Sequence, residues 1–593
     1  MEHYWKTHQQ HDGERFVQQR RHAPSDVSRV LERIISDDMP AYHASFFEGL
    51  KYVAIAAVDE NGRPWATLLA APTISVSPPG LLDVRVSLPP HDPFARCVLA
   101  AGVSSQHPQR FALLGVDFTN RRRNKAAGVV MAVAGDPSDL RLTLQANENL
   151  GNCPKYITVR SLETRQRTPK PILDGTTADL SPECLAVIAQ ASTIWLATCH
   201  DDAKHAERSD VGLNHRGGPP GFVRAYRDDI DGAWYLVLPD YSGNRFYQSL
   251  GNVQTDRRAG MLFVDFHTGD VCQVTGDAEN IYDDEAAAIM PRVSLLTRIK
   301  VTSVVLIQGG VNLAQTSPDK MSPYNPPLRL LAREGATETA TAISAASATL
   351  VAVRRRTRNV AEFTFELDGL VTDNTRPGAY IVLAFANILG LPAYSHMNDG
   401  DPQSLNDDLV RTWTISSFGP GKRVVSITVK LVPSGAVSPF LHALARQTPP
   451  LPRVTLPCLG VACDFSCIDS AGRVPPRMLW VAGGVGLTPF LAFQQGIAAR
   501  NLKSDIVLLY ACRDEDAALL EDFTQIDSES LIIFGKTAPA RGQHVQRRMQ
   551  AADVTAFADR PAFLCGPAQL TTLVTTWLED AGCPAVHQEK FTF

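Results

Sequence analysis

Short apolar segments alternate with helix-length segments from Arg477 onward, and this alternation restricts the fold more than any other feature of the sequence. The apolar segments are MLWVAGG (478–484), IVLLYACR (506–513), LIIFGK (531–536) and AFLCGP (562–567). Each has the length of a buried strand, and each gap is long enough for a helix. Strands that alternate with helices predict a parallel, doubly wound sheet.

The first strand of this series runs into a glycine-rich turn and then into a helix. Gly483, Gly484 and Gly486 allow the backbone to approach a phosphate closely. The free N–H groups at the start of the helix, near Thr488, attract an anion. We interpret the turn as a nucleotide-phosphate site, and the alternative is a plain tight turn before a helix.

The region before this sheet has the pattern of antiparallel strands. TLVAVRRRTRNVAEFTFEL (349–367) alternates apolar and polar residues, and short strands follow to about Pro457, which predicts a small antiparallel barrel. A boundary precedes it, because NLAQTSPDKMSPYNPPL (312–328) holds four prolines. A small, polar run follows those prolines.

The N-terminal half is β-rich and contains a weak internal repeat. Asn61-Gly62 separates two apolar strands, which predicts a hairpin. Residues 111–133 and 234–266 share one plan: an apolar strand, an Asp-aromatic pair, a polar turn with Arg or Lys, and another strand. We interpret them as parts of two repeats, 42–165 and 178–312. The alternative is chance similarity between two all-β segments.

The order of motifs in the C-terminal half resembles the ferredoxin–NADP reductase superfamily. Arg411-Thr412-Trp413-Thr414-Ile415-Ser416-Ser417 is similar to that family's Arg-x-Tyr-Ser/Thr flavin motif, with Trp413 replacing the tyrosine. Val429-Lys430 and Gly435-Ala436-Val437-Ser438 resemble its phosphate-side motif. Cys565-Gly566-Pro567 resembles the strand end near the nicotinamide, and Glu589-Lys590-Phe591-Thr592-Phe593 resembles the terminus beside the flavin.

This resemblance implies FAD on the barrel and NADPH or NADH on the parallel sheet. Arg411 and Ser438 would contact the FAD pyrophosphate, Thr414 would face flavin N5, and Trp413 would cover the ring. The implied catalytic residues are Thr414, Cys565, Glu589, Phe591 and Phe593. The implied cofactor-binding residues of this half are Arg411, Trp413, Thr414, Ser416, Ser417, Val429, Lys430, Gly435, Val437, Ser438, Gly483, Gly484, Gly486, Thr488, Arg513, Gly566 and Pro567. Arg513 would meet the 2′-phosphate of NADPH, whereas the neighbouring Asp514 favours NADH.

The N-terminal half resembles the pyridoxamine 5′-phosphate oxidase-like split barrels, which bind FMN between two barrels. The resemblance implies an FMN site with the residues Ser209, Arg224, Asn244, Arg245, Ser249 and Gln273. An Arg with hydroxyl and amide partners suits a phosphate. The alternative is a structural barrel that holds no cofactor. Because a duplicated barrel supplies both sides of the interface, either a monomer or a homodimer is compatible with this arrangement.

Together these features predict a multidomain chain that combines all-β and α/β units. Its parts are an N-terminal arm (1–41), split-barrel units at 42–165 and 178–312, a linker (313–347), an antiparallel FAD-binding β-barrel (348–470) and a doubly wound NAD(P)-binding domain (471–593). The predicted function is an NAD(P)H-dependent flavin oxidoreductase that passes electrons from nicotinamide to FAD, then to a flavin or substrate in the split-barrel half. Two alternatives remain open: an FAD reductase for a separate protein acceptor, with the barrels as docking scaffold, or a haem- or ligand-binding barrel protein.

Composition excludes several other classes. The net charge of −5 argues against nucleic acid as a partner. The most hydrophobic stretch, 478–493, is interrupted by glycine and proline, which argues against a membrane span. Eleven scattered cysteines and a polar N-terminus without an apolar core favour a cytoplasmic protein with reduced thiols. No metal site is expected, since the spacing of Cys458, Cys463 and Cys467 departs from that of plant-type ferredoxins. The small-molecule substrate or electron acceptor stays unidentified.

Overall fold

The computed structural model of the chain describes residues 10–24, 27–101, 109–152, 154–202, 209–334, 346–368, 375–390, 394–419, 423–447, 452–536 and 538–589. The chain divides into two compact units. The N-terminal unit consists of Met1–Gly335 together with Tyr394–Asn406. The C-terminal unit consists of Ala336–Ala393 together with Asp407–Phe593.

Helices of the N-terminal unit lie before, between and after its strands. They are α1 (Asp12–Arg20), α2 (Val27–Ile34), α3 (Ala41–Glu48), α4 (Pro93–Ala101), α5 (Pro182–Gln190), α6 (Gln248–Asp256) and α7 (Asp283–Ile289). α1 begins where the His11 ring accepts the N–H of Gly13, and Glu14 in its first turn suits the helix dipole. Val17 of α1 packs against Leu250 of α6. The predicted arm, 1–41, thus includes helices, one of which packs on the second repeat.

The first repeat forms an antiparallel sheet. Its strands are β1 (Tyr52–Val58), β2 (Pro64–Ala70), β3 (Thr73–Ser77), β4 (Leu81–Val86), β5 (Arg110–Asp117), β6 (Arg122–Ala134) and β7 (Leu140–Asn152), in the order β2-β1-β5-β6-β7-β4-β3. The predicted hairpin at Asn61-Gly62 joins β1 to β2, and Val58 pairs with Pro64. Gly62 has φ 73°, a conformation that glycine adopts without strain.

The second repeat forms another antiparallel sheet. Two short strands precede it, β8 (Leu162–Thr164) and β9 (Lys170–Thr177). Its other strands are β10 (Thr193–His200), β11 (Asp210–Gly217), β12 (Arg224–Arg227), β13 (Trp234–Pro239), β14 (Arg258–Val264), β15 (Val271–Tyr282) and β16 (Leu295–Gln308), in the order β11-β10-β14-β15-β16-β13-β12. β9 pairs with β16, and β17 (Leu313–Gln315) pairs with β8.

The two sheets follow the same plan. In each repeat a helix precedes four strands, a second helix follows, and three strands complete the sheet in the same spatial order. Tyr52 and Leu114 of the first sheet share one buried cluster with Trp195, Leu213 and Leu262 of the second. The two sheets therefore pack face to face, and their common topology agrees with the prediction of two repeats. The segments that correspond are β5–β6 and β14–β15, so the predicted correspondence of 111–133 with 234–266, which spans β13 and β14, is wrong.

A closed six-stranded barrel begins the C-terminal unit and agrees with the predicted antiparallel barrel. Its strands are β18 (Ser347–Arg355), β19 (Val360–Asp368), β20 (Tyr380–Ala384), β21 (Val410–Phe418), β22 (Val424–Lys430) and β23 (Thr455–Ala462), in the order β18-β19-β22-β21-β20-β23. Helix α8 (Ala386–Leu389) follows β20, and α9 (Val437–Leu444) follows β22. Phe363, Phe365, Ile415 and Ile427 fill the interior.

A parallel sheet ends the unit, as the alternation from Arg477 predicts. Its strands are β24 (Arg477–Gly483), β25 (Asp505–Ala511), β26 (Leu531–Phe534), β27 (Gln543–Val545), β28 (Ala562–Cys565) and β29 (Val586–Gln588), in the order β27-β26-β25-β24-β28-β29. Helices α10 (Thr488–Ala499), α11 (Ala551–Thr555) and α12 (Ala568–Asp580) connect them. Phe490 and Phe493 of α10 cover one face, and Val574 and Leu578 of α12 cover the other, so the sheet is doubly wound.

Two segments belong to the N-terminal unit although the sequence predicts otherwise. Residues 313–334 fall within the predicted linker, yet Tyr324 and Leu331 are buried there. The inserted segment, Tyr394–Asn406, lies between α8 and β21 of the barrel in sequence but packs on the N-terminal unit. Tyr324 donates to Asp399 at 2.6 Å, and Asn406 accepts the N–H of Ser242 at 2.9 Å.

Within the described part of the chain, the helices are too short or too polar to cross a bilayer.

Candidate functional site

The glycine turn of the C-terminal unit lies at the point where the parallel sheet reverses its strand order. β24, the first strand of the sheet, pairs with β25 on one side and with β28 on the other. The strands that follow β25 are added on one side of β24, and β28 and β29 are added on the other side, so the strand order reverses at β24. A Cβ on Gly486 would lie 2.4 Å from the carbonyl oxygen of Cys565, and one on Gly566 would lie 3.0 Å from the Gly483 nitrogen. Only glycine permits the two turns to lie this close. Ligands of doubly wound sheets bind at this place.

The chain just before helix α10 offers N–H groups at that turn. Gly484 has φ 55°, in the left-handed region that favours glycine, and it turns the chain into a short 3-10 segment, Gly484–Leu487. No side chain caps α10 at Leu487, and Thr488 is its first residue. The Thr488 N–H donates to the Val485 carbonyl and Pro489 has no N–H. The N–H groups available to a phosphate are therefore those at the start of the 3-10 turn, where no side chain caps Gly483, and the positive end of the helix dipole lies there too. Arg513 is exposed just after β25, on the same edge of the sheet.

Thr414 on β21 has a buried hydroxyl without a hydrogen-bond partner among the described residues. The residue is 4% exposed and pairs with Tyr380 of β20. Leaving a buried hydroxyl unpaired costs about 1–3 kcal/mol, so a ligand that accepts its proton would relieve the cost. This orphaned group fits the flavin contact that the sequence implies.

A group of acidic and phenolic side chains surrounds Glu589. Burial, with the charge of Asp464, raises the pKa of Glu589 to about 7. Its Oε2 is buried and has no partner among the described residues. Tyr380 donates to Asp464 at 3.3 Å, and burial with that carboxylate raises the pKa of Tyr380 to about 12. Glu589 can therefore take up or release a proton near neutral pH.

Sequence reasoning missed Tyr380 and Asp464. Tyr380 looks like an ordinary strand residue, and only its register opposite Thr414 reveals its place. Asp464 follows the end of β23 directly, where a polar residue is common. Cys565, which the sequence does predict, is fully buried, and burial raises the pKa of its thiol, so it is a neutral side chain rather than a nucleophile.

The structure shows Arg411 in an ion pair rather than with a free guanidinium. Its Nη1 and Nη2 donate to the two oxygens of Asp407 at 2.7 and 2.6 Å. Arg411 can therefore contact the FAD pyrophosphate only if its guanidinium binds Asp407 and the phosphate together, or if it leaves Asp407. Trp413 lies half-buried with its ring edge-on to Phe385, 5.8 Å between centroids.

Several other predicted flavin residues contact the barrel itself. Ser416 donates to Ser426 at 3.1 Å, whereas Ser417 borders a groove. Val429 and Val437 lie in the barrel core, so only their backbones can contact a ligand. Gly435 lies in the turn before α9, where its N–H donates to the Val432 carbonyl at 3.0 Å. Ser438, in the first turn of α9, accepts the N–H of Val432 at 2.9 Å. Phe591 and Phe593 fall outside the described residues.

Lys430, a predicted cofactor residue, pairs with a buried carboxylate. Its Nζ lies 3.0 Å from Oδ2 of Asp516, whose side chain is 1% exposed. Asp516 lies beside the glycine turn, since a Cβ on Gly484 would lie 3.5 Å from its Oδ2. The pair therefore joins the barrel to the parallel sheet next to the predicted phosphate site.

Removing this partner should destabilise the C-terminal unit. We expect Lys430→Met to lower its free energy of unfolding by about 3 kcal/mol, because Asp516 keeps an uncompensated buried charge. Hydrogen exchange of the β24 and β25 amides measures the loss. The matched control is Arg473→Met, which breaks an exposed pair with Asp469 and should change stability by less than about 1 kcal/mol. Equal losses in both variants would contradict the bridging role.

A cleft with a cavity volume of about 100 Å³ forms the candidate site of the N-terminal unit. Both repeats line it: Arg123 comes from β6, and Asn214 and Arg216 come from β11. Three residues predicted from the sequence, Asn244, Arg245 and Ser249, also line it.

The cleft is rich in cations. Arg123, Lys155, Arg216 and Arg245 line it, against Asp240, which pairs with Arg216 at 3.3 Å. Beneath them, Lys125 donates to Asn214 at 2.9 Å. Burial, with the nearby Arg123, lowers the pKa of Lys125 to about 8. Such a lining attracts an anion, and a phosphate ester has the matching charge.

Two neighbours fix the orientation of the cationic groups. Arg123 donates to Nδ1 of His215 at 3.3 Å, and burial holds the pKa of His215 well below its usual range, so this ring is neutral. The Arg245 guanidinium lies 3.9 Å from the ring centroid of Tyr394, which the inserted segment supplies. Tyr394 itself donates to the Gly243 carbonyl at 3.0 Å.

The other three residues predicted for this site lie elsewhere. Arg224 forms a bidentate pair with Glu334 at 2.5 and 3.0 Å. Ser209 accepts the N–H of Asp202 at 2.9 Å. Gln273 is buried between the two sheets and donates to the Ala66 carbonyl at 2.9 Å. The structure thus brings together only Asn244, Arg245 and Ser249.

The curated relatives of the chain match about two-fifths of its length. No family model matches the chain. It is 27% identical over 254 residues to the glycine betaine monooxygenase reductase subunit of Pseudomonas aeruginosa, covering 41% of this chain and 63% of that protein. It is 25% identical over 237 residues to the 2-halobenzoate 1,2-dioxygenase electron transfer component of Burkholderia cepacia, covering 38% and 61%. The chain thus spans about three-fifths of the length of these curated relatives.

Among solved structures, the FAD/NAD-binding domain of nitric oxide dioxygenase from Vibrio cholerae shares 21% identity and a TM-score of 0.31, covering 41% of this chain and 98% of that domain. The curated relatives are named as reductase and electron-transfer components. These names confirm the coarser prediction for the C-terminal half, which is that of a reductase that transfers electrons.

Proposed function

We propose that the whole chain is an NAD(P)H-dependent flavin oxidoreductase with two flavin sites. The C-terminal unit binds FAD and NADH or NADPH, and the N-terminal unit binds FMN, which receives electrons or passes them to a substrate. The observation that carries the proposal is the partnerless hydroxyl of Thr414, on the barrel strand that pairs with Tyr380 beside Asp464 and Glu589.

Named residues of the C-terminal unit have distinct tasks. FAD, when bound, supplies the acceptor for a hydride from the nicotinamide. The glycine turn and the start of α10 hold a pyrophosphate, and Arg411 contributes its guanidinium to the flavin side. Thr414 donates a hydrogen bond toward the flavin ring. Glu589, whose pKa is raised to about 7, holds or releases a proton near the reacting rings.

The N-terminal proposal depends on the cationic cleft and on the repeated topology. Tandem split barrels would place a phosphate-bearing flavin between the two repeats, and the cleft is lined by both. Arg245 with Asn244 and Ser249 suits a phosphate dianion, because an Arg with neutral donors forms charge-assisted hydrogen bonds. The predicted contacts from Ser209, Arg224 and Gln273 are not part of this proposal.

A second candidate function is an FAD reductase that serves a separate protein acceptor. The names of the relatives favour it, since they are subunits or components of larger oxygenase systems. In that case the N-terminal unit would be a docking scaffold without its own flavin. The two candidates differ in the number of flavins for each chain.

Flavin extraction with chromatographic identification tests the proposal. We expect one FAD and one FMN for each chain after reconstitution, and anaerobic bleaching of both on addition of NADH or NADPH. FAD without FMN, reduced at a normal rate, would replace the proposal by the docking-scaffold function. Protein that stays colourless with FAD, or that neither nicotinamide reduces, would overturn the reductase function itself.

A further inference from the structure

Strand registers identify equivalent positions in the two repeats. Ile55 of β1 pairs with Thr67 and Leu113, and Leu196 of β10 pairs with Asn214 and Met261. The strand orders match, and an Asp-Phe pair begins four residues after Leu113, at 117–118, and four residues after Met261, at 265–266. Thr67 of β2 and Asn214 of β11 therefore occupy equivalent places.

The same comparison relates Lys125 to Gln273. Leu114, one residue after Leu113, pairs with Lys125 of β6. Leu262, one residue after Met261, pairs with Gln273 of β15. Lys125 and Gln273 are therefore equivalent by register, although one is a cation and the other a neutral amide.

Each of these residues reaches across to the other repeat. Lys125 donates to Asn214 at 2.9 Å, and Asn214 donates in turn to Ser249 at the start of α6. We call these three residues the Lys125 cluster. Asn214 lies on the edge strand β11 and Ser249 lies in the first turn of α6, and both line the cationic cleft.

The counterpart is the Asp92 cluster, Asp92 with Thr67 and Gln273. Thr67 donates to Asp92 Oδ2 at 2.6 Å, and Gln273 donates to the same oxygen at 3.4 Å. Asp92 precedes α4 and accepts the N–H of Ala95 at 3.0 Å. The two clusters thus have the same plan. Lys125 of β6 in the first repeat reaches β11 and the start of α6 in the second repeat. Gln273 of β15 in the second repeat reaches β2 and the start of α4 in the first repeat.

The two clusters have opposite charge and different access. Asp92, Thr67 and Gln273 are 2%, 3% and 1% exposed, so this cluster is closed. Its carboxylate accepts N–H groups at the start of a helix, which is the position that attracts an external anion. The Lys125 cluster has a cation and a hydroxyl instead, and it adjoins the cleft that Arg123 and Arg245 line.

We infer that the duplicated N-terminal unit keeps one anion site of two: a phosphate ester binds beside the Lys125 cluster, while the Asp92 carboxylate occupies the corresponding place in the other cluster. The inference rests on the proposed function for the identity of the ligand as FMN. It accounts for the position of Gln273, whose amide now stabilises a built-in carboxylate instead of contacting a ligand. A buried carboxylate with several donors needs no external counterion.

Equilibrium dialysis of the full chain, saturated with FAD, tests this inference with FMN and with inorganic phosphate. We expect one FMN for each chain beyond the FAD. Lys125→Gln, which installs the counterpart residue, should weaken FMN binding at least tenfold. Thr67→Val and Gln273→Leu are the matched controls in the Asp92 cluster, and they should change the dissociation constant less than twofold. Far-UV circular dichroism and the thermal unfolding midpoint confirm that each variant is folded, and reduction of FAD by nicotinamide confirms that the C-terminal unit is unaffected.

Each outcome separates the inference from the proposed function. Two FMN for each chain, or weakening by Gln273→Leu equal to that by Lys125→Gln, would overturn the single-site inference. If FMN fails to bind while phosphate protects Lys125 from amine-directed labelling, the inference stands and only the flavin identity is wrong. If neither ligand binds, the anion site itself is refuted, whereas FAD reduction still reports on the C-terminal unit.

Discussion

Thr414→Val is expected to slow anaerobic reduction of the bound FAD by nicotinamide about a hundredfold, the usual effect of removing one preorganised donor from a reacting group. The hydroxyl is buried and has no protein partner among the described residues, so its proton is available only to a ligand. Valine keeps the volume of the side chain and removes the donor. Stopped-flow absorbance at saturating NADH or NADPH measures the rate, and flavin extraction confirms that FAD stays bound.

Thr364→Val is the matched control in the same barrel. The Thr364 hydroxyl lies 3.0 Å from that of Ser426, so its loss should lower stability by about 1 kcal/mol and leave the rate unchanged. Thr414→Val should instead raise the stability of the protein without cofactor, because it removes a buried hydroxyl that has no partner among the described residues. A normal reduction rate in Thr414→Val, or an equal slowing in both variants, would refute the flavin contact.

The affinity of the N-terminal unit for FMN is expected to fall as pH rises above about 8. Burial, with the charges of Arg123 and Arg216, lowers the pKa of Lys125 to about 8, and Asp210 and Glu148 act in the opposite direction. Below that pH Lys125 is a cation that attracts the phosphate, and above it the amine is neutral. Each further pH unit should weaken binding about tenfold, as proton linkage requires for one group.

Fluorescence titration with FMN between about pH 7.5 and pH 9.5 measures this dependence. The phosphate is a dianion throughout that range, since its second pKa is about 6. Lys125→Met should bind FMN more weakly at neutral pH and should lose the slope above pH 8. A slope that persists in the variant would assign the titration to another group and would contradict the role of Lys125.

The C-terminal fold follows from the sequence because local patterns determine it. The inner strands of the parallel sheet, such as β24, are continuous apolar runs. The turn after β24 needs glycine, because a Cβ on Gly486 would lie only 2.4 Å from the Cys565 carbonyl oxygen. The pairings of the charged residues do not follow in this way. Lys430 and Asp516 are far apart in sequence, and only the fold brings them together. Arg411 and Asp407 are four residues apart, but no sequence pattern shows that the chain bends there to pair them.

The N-terminal differences have a similar physical origin. A repeat predicts two equivalent positions for each motif, and the sequence does not tell which one faces a cleft. It predicts a cofactor contact for Gln273, which the structure places in the closed Asp92 cluster. The proline-rich segment after Asn312 has the composition of a linker. Tyr324 and Leu331 are nevertheless buried, since isolated apolar residues can anchor a segment that has no periodicity.

The inserted segment, Tyr394–Asn406, has an evolutionary consequence. The chain enters the N-terminal unit a second time after part of the barrel is complete, so the two halves are interleaved in the gene rather than joined end to end. Recombination near residue 340 could replace the C-terminal half by that of another protein. The N-terminal unit would then lose the contact of Arg245 with Tyr394 and the hydrogen bond of Ser242 to Asn406. We therefore expect the two halves to be inherited together.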